Sequence, residues 1–435
     1  MSDPGRPSRV RHVDGVLAPE RCAAGPEDVR TMTRPVSPAA SVGASPSDAA
    51  VPASGATAPA SARELERHEF VGADDRHLFV YGDLRGRFDS TTAPTPAGTE
   101  PVGLHKRFDS LTATWIAVSP ARNVRPHSGA AGATDADVAP CPLCPGGPEV
   151  PFSYDAAVFD NRFPALVADP PPVPDDPRVG PAQGHCEVVL YTEHHEGSLA
   201  TLSPTELARV VAVWRDRSGE LWADARNRFV MAFENSGEAV GATLSHPHGQ
   251  IYAFDHLPPL IAGRVAALRA HRAADGTCLT CGVVRADDAS ERVVAANPTF
   301  SISVPFAARW PFEVHVRARR HGLRRLGDLV PDEQRDLAAA LRQVVARYTQ
   351  VFDFVLPYMM VALEAPDDES DWHLAFEFYP PHRSPILTKV RASVETATGL
   401  FINDTLPETT ALRLAGLAGP HVEEELPFTV VCSAE

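Results

Sequence analysis

Residues Ser245–Phe254 read SHPHGQIYAF, two histidines around a proline followed by Gly-Gln. Laid out as a β-strand, this stretch projects His246, His248 and Gln250 from one face and Pro247 and Gly249 from the other. A proline within a strand removes a ladder donor, so the strand is expected at a sheet edge or with a local irregularity that leaves room for a ligand. Neutral imidazole attacks phosphorus readily. A glutamine beside it does not titrate and can hydrogen-bond phosphoryl oxygens. If His246 faces a metal, His248 is the histidine left for chemistry. The plainer alternative is a row of satisfied core histidines, against which Gln250 stands as a third polar head.

Four of the seven cysteines form two C-x-x-C pairs, Cys141/Cys144 and Cys278/Cys281. In a long chain with an odd cysteine count this favours metal over a disulfide framework. The pairs begin two similar runs. After CPLC come His194, Pro204 and His246; after CLTC come His321, Pro331 and His373. Each first histidine precedes its proline by ten residues, and each proline precedes the second histidine by 42. Four landmarks in one order at matched spacing indicate a duplicated unit. Within each unit two cysteines and two distant histidines make the Cys₂His₂ set of a closed, structural zinc site. The sets are Cys141, Cys144, His194 and His246, then Cys278, Cys281, His321 and His373. His195 competes with His194, and only the repeat spacing favours the latter. Buried cysteines with unrelated surface histidines are the alternative. The repeat also sets His373 on His246, Ala375 on His248 and Glu377 on Gln250, so the second unit keeps a zinc histidine but lacks a nucleophile.

These residues need strands and helices to hold them. TWIAVSP, AAVFDN, CEVVLYT and RFVMAFEN are short β-branched or aromatic runs bounded by turn residues. The run from Ser203 to Ala225 reads as a helix, with Ser203 as N-cap, Pro204 in the first turn and Glu206 completing a capping box. Few helices and many strands indicate an α+β fold. Residues 1–65 are dominated by Ala, Pro, Ser and Gly and read as a disordered tail. A transit peptide is the weaker reading, because such peptides are acid-poor and this stretch holds Asp3, Asp14, Glu20, Glu27 and Asp28. The expected division is tail 1–65, catalytic unit 66–265 and second unit 266–435.

The 435 residues are 44% hydrophobic and carry a formal charge of −16. That composition buries a large core and disfavours nucleic acid or an anionic membrane surface as partner. No apolar run approaches a membrane span and the first thirty residues lack an apolar signal core, so a cytoplasmic location is expected. The arginines of VRARRHGLRRL are read as a solvated face.

Several segments resemble the galactose-1-phosphate uridylyltransferase family of the histidine triad superfamily: FENSGEAVGATLSHPHGQIYAF, WIAVSPARNVRP, CPLCPGG, VFDNRFPAL and FYPPHRSP, in family order across roughly residues 105–430. The resemblance implies a duplicated histidine-triad fold, usually dimeric, that moves UMP from UDP-glucose to galactose 1-phosphate. It makes His248 the nucleophile of a covalent uridylyl-histidine and Gln250 the phosphoryl-binding residue that marks transferases off from triad hydrolases. A hexose 1-phosphate leaves as a phosphate whose second pKa is about 6, so it needs little general-acid help. Asn235, Gly241 and Thr243 match the loop before the nucleophile. Arg122 and Arg125 match paired arginines suited to a diphosphate; solvated surface arginines are the alternative. Asn161 resembles a ribose or uracil contact, and Lys389 a late lysine near the sugar. Some members bind iron through an HAH segment where this chain has HLAFEF, so the expectation is two zincs and no iron. The competing readings are a nucleotide-sugar phosphorylase of the ADP-glucose type and a non-catalytic zinc and nucleotide-binding protein.

Overall fold

The computed structural model describes residues 62–72, 74–87, 103–124, 141–242, 244–366, 369–420 and 427–432. Most of the expected tail lies outside these residues. Its end does not: strand β1 (Arg63–Val71) starts at Arg63 and brings Leu65 into the core. The strand exists there because a partner from the far end of the chain, β12 (Phe428–Cys432), pairs with it in parallel. Local composition carries no trace of so distant a partner.

Ten further strands complete the sheet. They are β2 (His77–Tyr81), β3 (Ala156–Asp160), β4 (Gly184–Leu190), β5 (Phe229–Ser236), β6 (His248–Phe254), β7 (Val293–Ala296), β8 (Phe300–Ser303), β9 (Val314–Ala318), β10 (Tyr358–Leu363) and β11 (Ala375–Tyr379). The spatial order is β7-β8-β9-β11-β10-β5-β6-β4-β3-β2-β1-β12, and every pairing but β1 with β12 is antiparallel.

The duplication is visible in that order. One unit runs β3-β4-β6-β5 with helix α1 (Pro204–Ala223) between β4 and β5 in sequence. The other runs β8-β9-β11-β10 with its helix, Pro331–Tyr348, in the same place. The units meet through β5 and β10, where Phe233 faces Val361. Between them lie α2 (Pro259–Asp275) and α3 (Leu279–Asp288), which makes Pro331–Tyr348 α4.

Helix α1 begins as its sequence dictates. Ser203 accepts from the Glu206 amide, Glu206 reaches back to the Ser203 amide, and Pro204 occupies the first turn. Helix α4 has Val330 before it, with no capping oxygen, and Glu333 alone reaches back to the Val330 amide at 3.1 Å. Both helices pack their apolar stripes on one sheet face: Val210, Val211 and Trp214 from α1 join Leu337, Leu341 and Val344 from α4 in one continuous core. Full burial of each such aliphatic side chain contributes about 1.5–3 kcal/mol, so the sheet joining both units is a stiff platform. No helix among the described residues is long and apolar enough to cross a membrane.

Candidate active site

Strand β6 lies inside the sheet, between β5 and β4, not at an edge. The edge expectation fails because Pro247 stops just short of the strand, which starts at His248, so no ladder donor is lost. The Pro247 carbonyl still accepts from the Tyr191 amide at 3.2 Å. Burial then alternates along β6: Gly249, Ile251 and Ala253 face the core, while His248, Gln250, Tyr252 and Phe254 share the other face. His246 precedes the strand and is almost wholly buried.

His248 Nδ1 is 2.8 Å from its neighbour's carbonyl, His246 O. That carbonyl can only accept, so Nδ1 carries the proton and Nε2 keeps its lone pair. Burial lowers the His248 pKa from its ordinary value, against the raising effect of that bond, which keeps the ring neutral at pH 7. A neutral imidazole with an aimed lone pair is the form a nucleophile needs.

Gln250 Oε1 accepts from Asn161 Nδ2 at 3.1 Å, which turns the glutamine amide nitrogen to the other side as a donor. Asn161 is itself fixed, its Oδ1 accepting from the Phe163 amide at 2.9 Å. Arg122 joins the same arc, donating to Phe163 O at 3.0 Å and to the Tyr252 hydroxyl at 3.2 Å. Gln250, Asn161 and Arg122, far apart in sequence, thus meet on one face. Asn235 sits on β5 opposite Met359, and Gly241 closes a short turn at φ +82°. Arg125 and Thr243 lie outside the described residues. Lys389 is buried and its ammonium is held by Glu395 and the Ile402 carbonyl in its own C-terminal segment.

Both cysteine pairs converge with histidines. Cys141, Cys144, His195 and His246 form one group and Cys278, Cys281, His321 and His373 the other, each with its ligand atoms within 4.8 Å of one another. The first group corrects the repeat-based choice: His195 Nδ1 lies 3.5 Å from Cys144 Sγ, while His194 is exposed and outside the group. The cause is local. His195 precedes Pro204 by nine residues where His321 precedes Pro331 by ten, so the loop from the metal-facing histidine to the helix is one residue shorter in the first unit.

In both groups the second histidine is oriented by a backbone carbonyl. His246 Nε2 faces Thr192 O at 2.9 Å and His373 Nδ1 faces Ala318 O at 2.7 Å, so the opposite nitrogen of each ring points at the thiols. Those carbonyls follow β4 and end β9, the equivalent strands of the two units. Two thiols and two imidazoles within ligand spacing, one of the imidazoles oriented by a carbonyl, fit a tetrahedral ion of the zinc type.

A third group, Glu313, His315 and Glu377, is also buried. Its acceptors are already engaged. Arg264 donates to both oxygens of Glu377 at 2.8 and 2.7 Å. Arg309 lies 3.3 Å from both Glu313 and Glu377 and 3.0 Å from the Tyr379 hydroxyl, and His315 Nε2 is 2.8 Å from Glu313. This is an ion-pair network between β9 and β11, the strands equivalent to β4 and β6. Nearby, Ala375 borders a cavity of ≈ 220 Å³ also lined by Arg264, Arg317 and Trp372.

Sequence reading missed Tyr252, Glu234 and this network. Alternation on β6 continues past Gln250 to Tyr252, a usable signal. Glu234 falls in the core parity of RFVMAFEN, with Val230 and Ala232, a signal that could have marked it as a buried acid.

Fold and site together define the class: a duplicated histidine-triad protein in which one unit keeps the triad-strand histidine and the other carries alanine. Comparison with known proteins narrows this. The galactose-1-phosphate uridyl transferase N-terminal domain matches residues 97–258 and the C-terminal domain of the same transferase matches 264–426. The galactose-1-phosphate uridylyltransferase of Thermotoga maritima is 38% identical over 317 residues, 71% of this chain and 96% of that protein. The corresponding protein of Haemophilus influenzae is 32% identical over 74% of this chain and 96% of its own length. A solved uridylyltransferase structure superposes with a TM-score of 0.64 at 32% identity, covering 72% of this chain and 97% of that one. An ADP-glucose phosphorylase from Arabidopsis thaliana, solved with bound ADP-glucose, shares the fold at a TM-score of 0.56 and 23% identity. The chain belongs to the galactose-1-phosphate uridylyltransferase family.

Proposed function

We propose that the protein is a UDP-glucose–hexose-1-phosphate uridylyltransferase working by ping-pong transfer. The observation that carries this reading is the pairing of His248 and Gln250. A neutral imidazole with its Nδ1 proton tied to His246 O sits two residues from an amide whose nitrogen is turned outward by Asn161. His248 Nε2 attacks the α-phosphorus of UDP-glucose, and the bond to the bridging oxygen breaks to release glucose 1-phosphate. The histidine becomes cationic through its retained Nδ1 proton, and the His246 carbonyl accepts that proton's hydrogen bond throughout. Gln250 donates to a non-bridging oxygen, and Arg122 supports the negative diphosphate from the same face. The phosphate oxygen of galactose 1-phosphate then attacks the uridylyl-histidine in reverse and yields UDP-galactose.

The proposal includes two zinc ions per chain, held by Cys141, Cys144, His195 and His246 and by Cys278, Cys281, His321 and His373. A closed Cys₂His₂ zinc supplies structural cross-linking and folding energy. His246 would serve as ligand while its carbonyl orients His248. The third group is assigned as an ion-pair network and not as an iron site, because arginine donors occupy its carboxylates. A homodimer is the proposed assembly.

The test is discharge of the adduct. Protein loaded with UDP-glucose labelled in the uridine should release label to galactose 1-phosphate far faster than to inorganic phosphate or water. Faster discharge by phosphate would favour the phosphorylase reading.

A further inference from the structure

Glu234 is buried, 4% exposed, on the core side of β5, and among the described residues no cation counts among the main influences on it. Phe233 pairs with Gln250, so the next step of the ladder sets Glu234 across from Gly249, directly behind the peptide that carries His248. The Tyr358 hydroxyl donates to Glu234 Oε1 at 3.0 Å. The Tyr191 and Ser236 hydroxyls are its other polar neighbours. Among the described residues, Glu234 Oε2 and the Tyr191 hydroxyl are both left without a hydrogen bond of good geometry.

Tyr191 braces the nucleophile from both sides. Its amide donates to Pro247 O at 3.2 Å. Its hydroxyl lies 2.1 Å from where a β-carbon on Gly249 would be, which is why that position holds glycine. The ring is fixed edge-on against Trp214, itself fully buried. A carboxylate with no counter-ion in such a place is costly. A carboxylic acid is not, since it has no charge to desolvate, and its proton lets it donate as well as accept among the Tyr191, Tyr358 and Ser236 hydroxyls.

We infer that Glu234, in its neutral acid form, is a positioning residue: through Tyr191 it sets the height of the Pro247–Gly249 peptide and so aims His248 at phosphorus. The inference rests on the reading of His248 as nucleophile. Burial pushes the Glu234 pKa up to about 8, against the lowering effect of its hydroxyl bonds. The other titratable groups facing it, Tyr191 and Tyr358, are held well above the ordinary tyrosine value by burial and do not ionise in this range. Raising the pH through 8 should therefore place a charge under the nucleophile.

The experiment measures the pre-steady-state rate of nucleotidyl-adduct formation from UDP-glucose between pH 6.5 and 9.5, with zinc content and melting temperature as controls. Wild type should lose rate through an apparent pKa near 8. Glu234→Gln, neutral at every pH and still a donor, should recover most of the neutral-pH rate and abolish the alkaline loss. Glu234→Leu should slow adduct formation roughly 10- to 100-fold at all pH values, with metal content unchanged and KM for UDP-glucose within about threefold. Wild-type rates in Glu234→Leu, or an alkaline limb that survives in Glu234→Gln, would overturn the inference. Should the leucine variant not fold, the glutamine pH profile decides alone. A wild-type protein that forms no adduct at any pH would overturn the His248 assignment, and this inference with it.

Discussion

Gly249→Ala is the smallest change that should disable the proposed nucleophile without touching it. A β-carbon at Gly249 would lie 2.1 Å from the Tyr191 hydroxyl oxygen, 3.0 Å from its ring carbon and 2.9 Å from Phe233 O. Ordinary carbon contacts lie at about 3.5–4.0 Å, so more than an ångström must be found. Tyr191 cannot supply it, being fully buried against Trp214, and Phe233 O belongs to the β5–β6 ladder. The strand must move instead. Overpacking of this kind costs about 1–3 kcal/mol in stability. Displacement of His248 by about 1 Å costs on the order of 100-fold in rate. The assay is exchange of labelled glucose 1-phosphate into UDP-glucose, with chemical denaturation in parallel. Removing the hydroxyl should relieve the worst contact but leave those at 2.9 and 3.0 Å, so Gly249→Ala with Tyr191→Phe should regain about tenfold over Gly249→Ala alone. Wild-type exchange in Gly249→Ala, or a double variant no faster than the single, would refute the brace.

Other expectations concern the metal groups and the ion pairs. Cys278→Ser should lose about one zinc equivalent by elemental analysis and lower the melting temperature, while the folded fraction still forms the adduct. His195→Ala should lose metal from the first group and His194→Ala should not; the reverse pattern would restore the spacing-based choice. Glu377→Gln leaves Arg264 and Arg309 facing a buried amide, and should cost about 3–5 kcal/mol at pH 7 by denaturant titration. Burial raises the Glu377 pKa, but His315 and Arg264 outweigh it and hold the group well below the ordinary carboxylate range. Its stabilising contribution is therefore complete above the unfolded carboxylate pKa and lost as pH falls through the depressed native value, so the difference between wild type and Glu377→Gln should shrink in acid.

Much of this was legible because the duplication leaves repeated spacing in sequence. The 42 residues from helix proline to the second histidine hold in both units, since helix and following strands fill the same space twice. The ten-residue spacing did not carry over, because the loop from His195 to Pro204 is one residue shorter than that from His321 to Pro331, and a loop absorbs a change of length without disturbing the sheet. The edge placement of β6 failed for a similar reason: whether Pro247 begins or merely precedes the strand depends on where β4 and β5 lie. Pairing of β1 with β12, and of Arg264 with Glu377, joins residues more than a hundred positions apart, and no local pattern encodes either. Alternation did encode the face shared by His248 and Gln250. The resemblance placed Asn161 and Arg122 at the same site, but their contacts with Gln250 and Tyr252 came only from the fold.

The most direct test is intact mass and peptide mapping of the protein after brief incubation with UDP-glucose in the absence of acceptor. The account predicts a mass gain of one UMP per chain, located on His248, acid-labile and removed by galactose 1-phosphate, with none in His248→Ala of full zinc content. An adduct on another residue, or none in active protein, would contradict it.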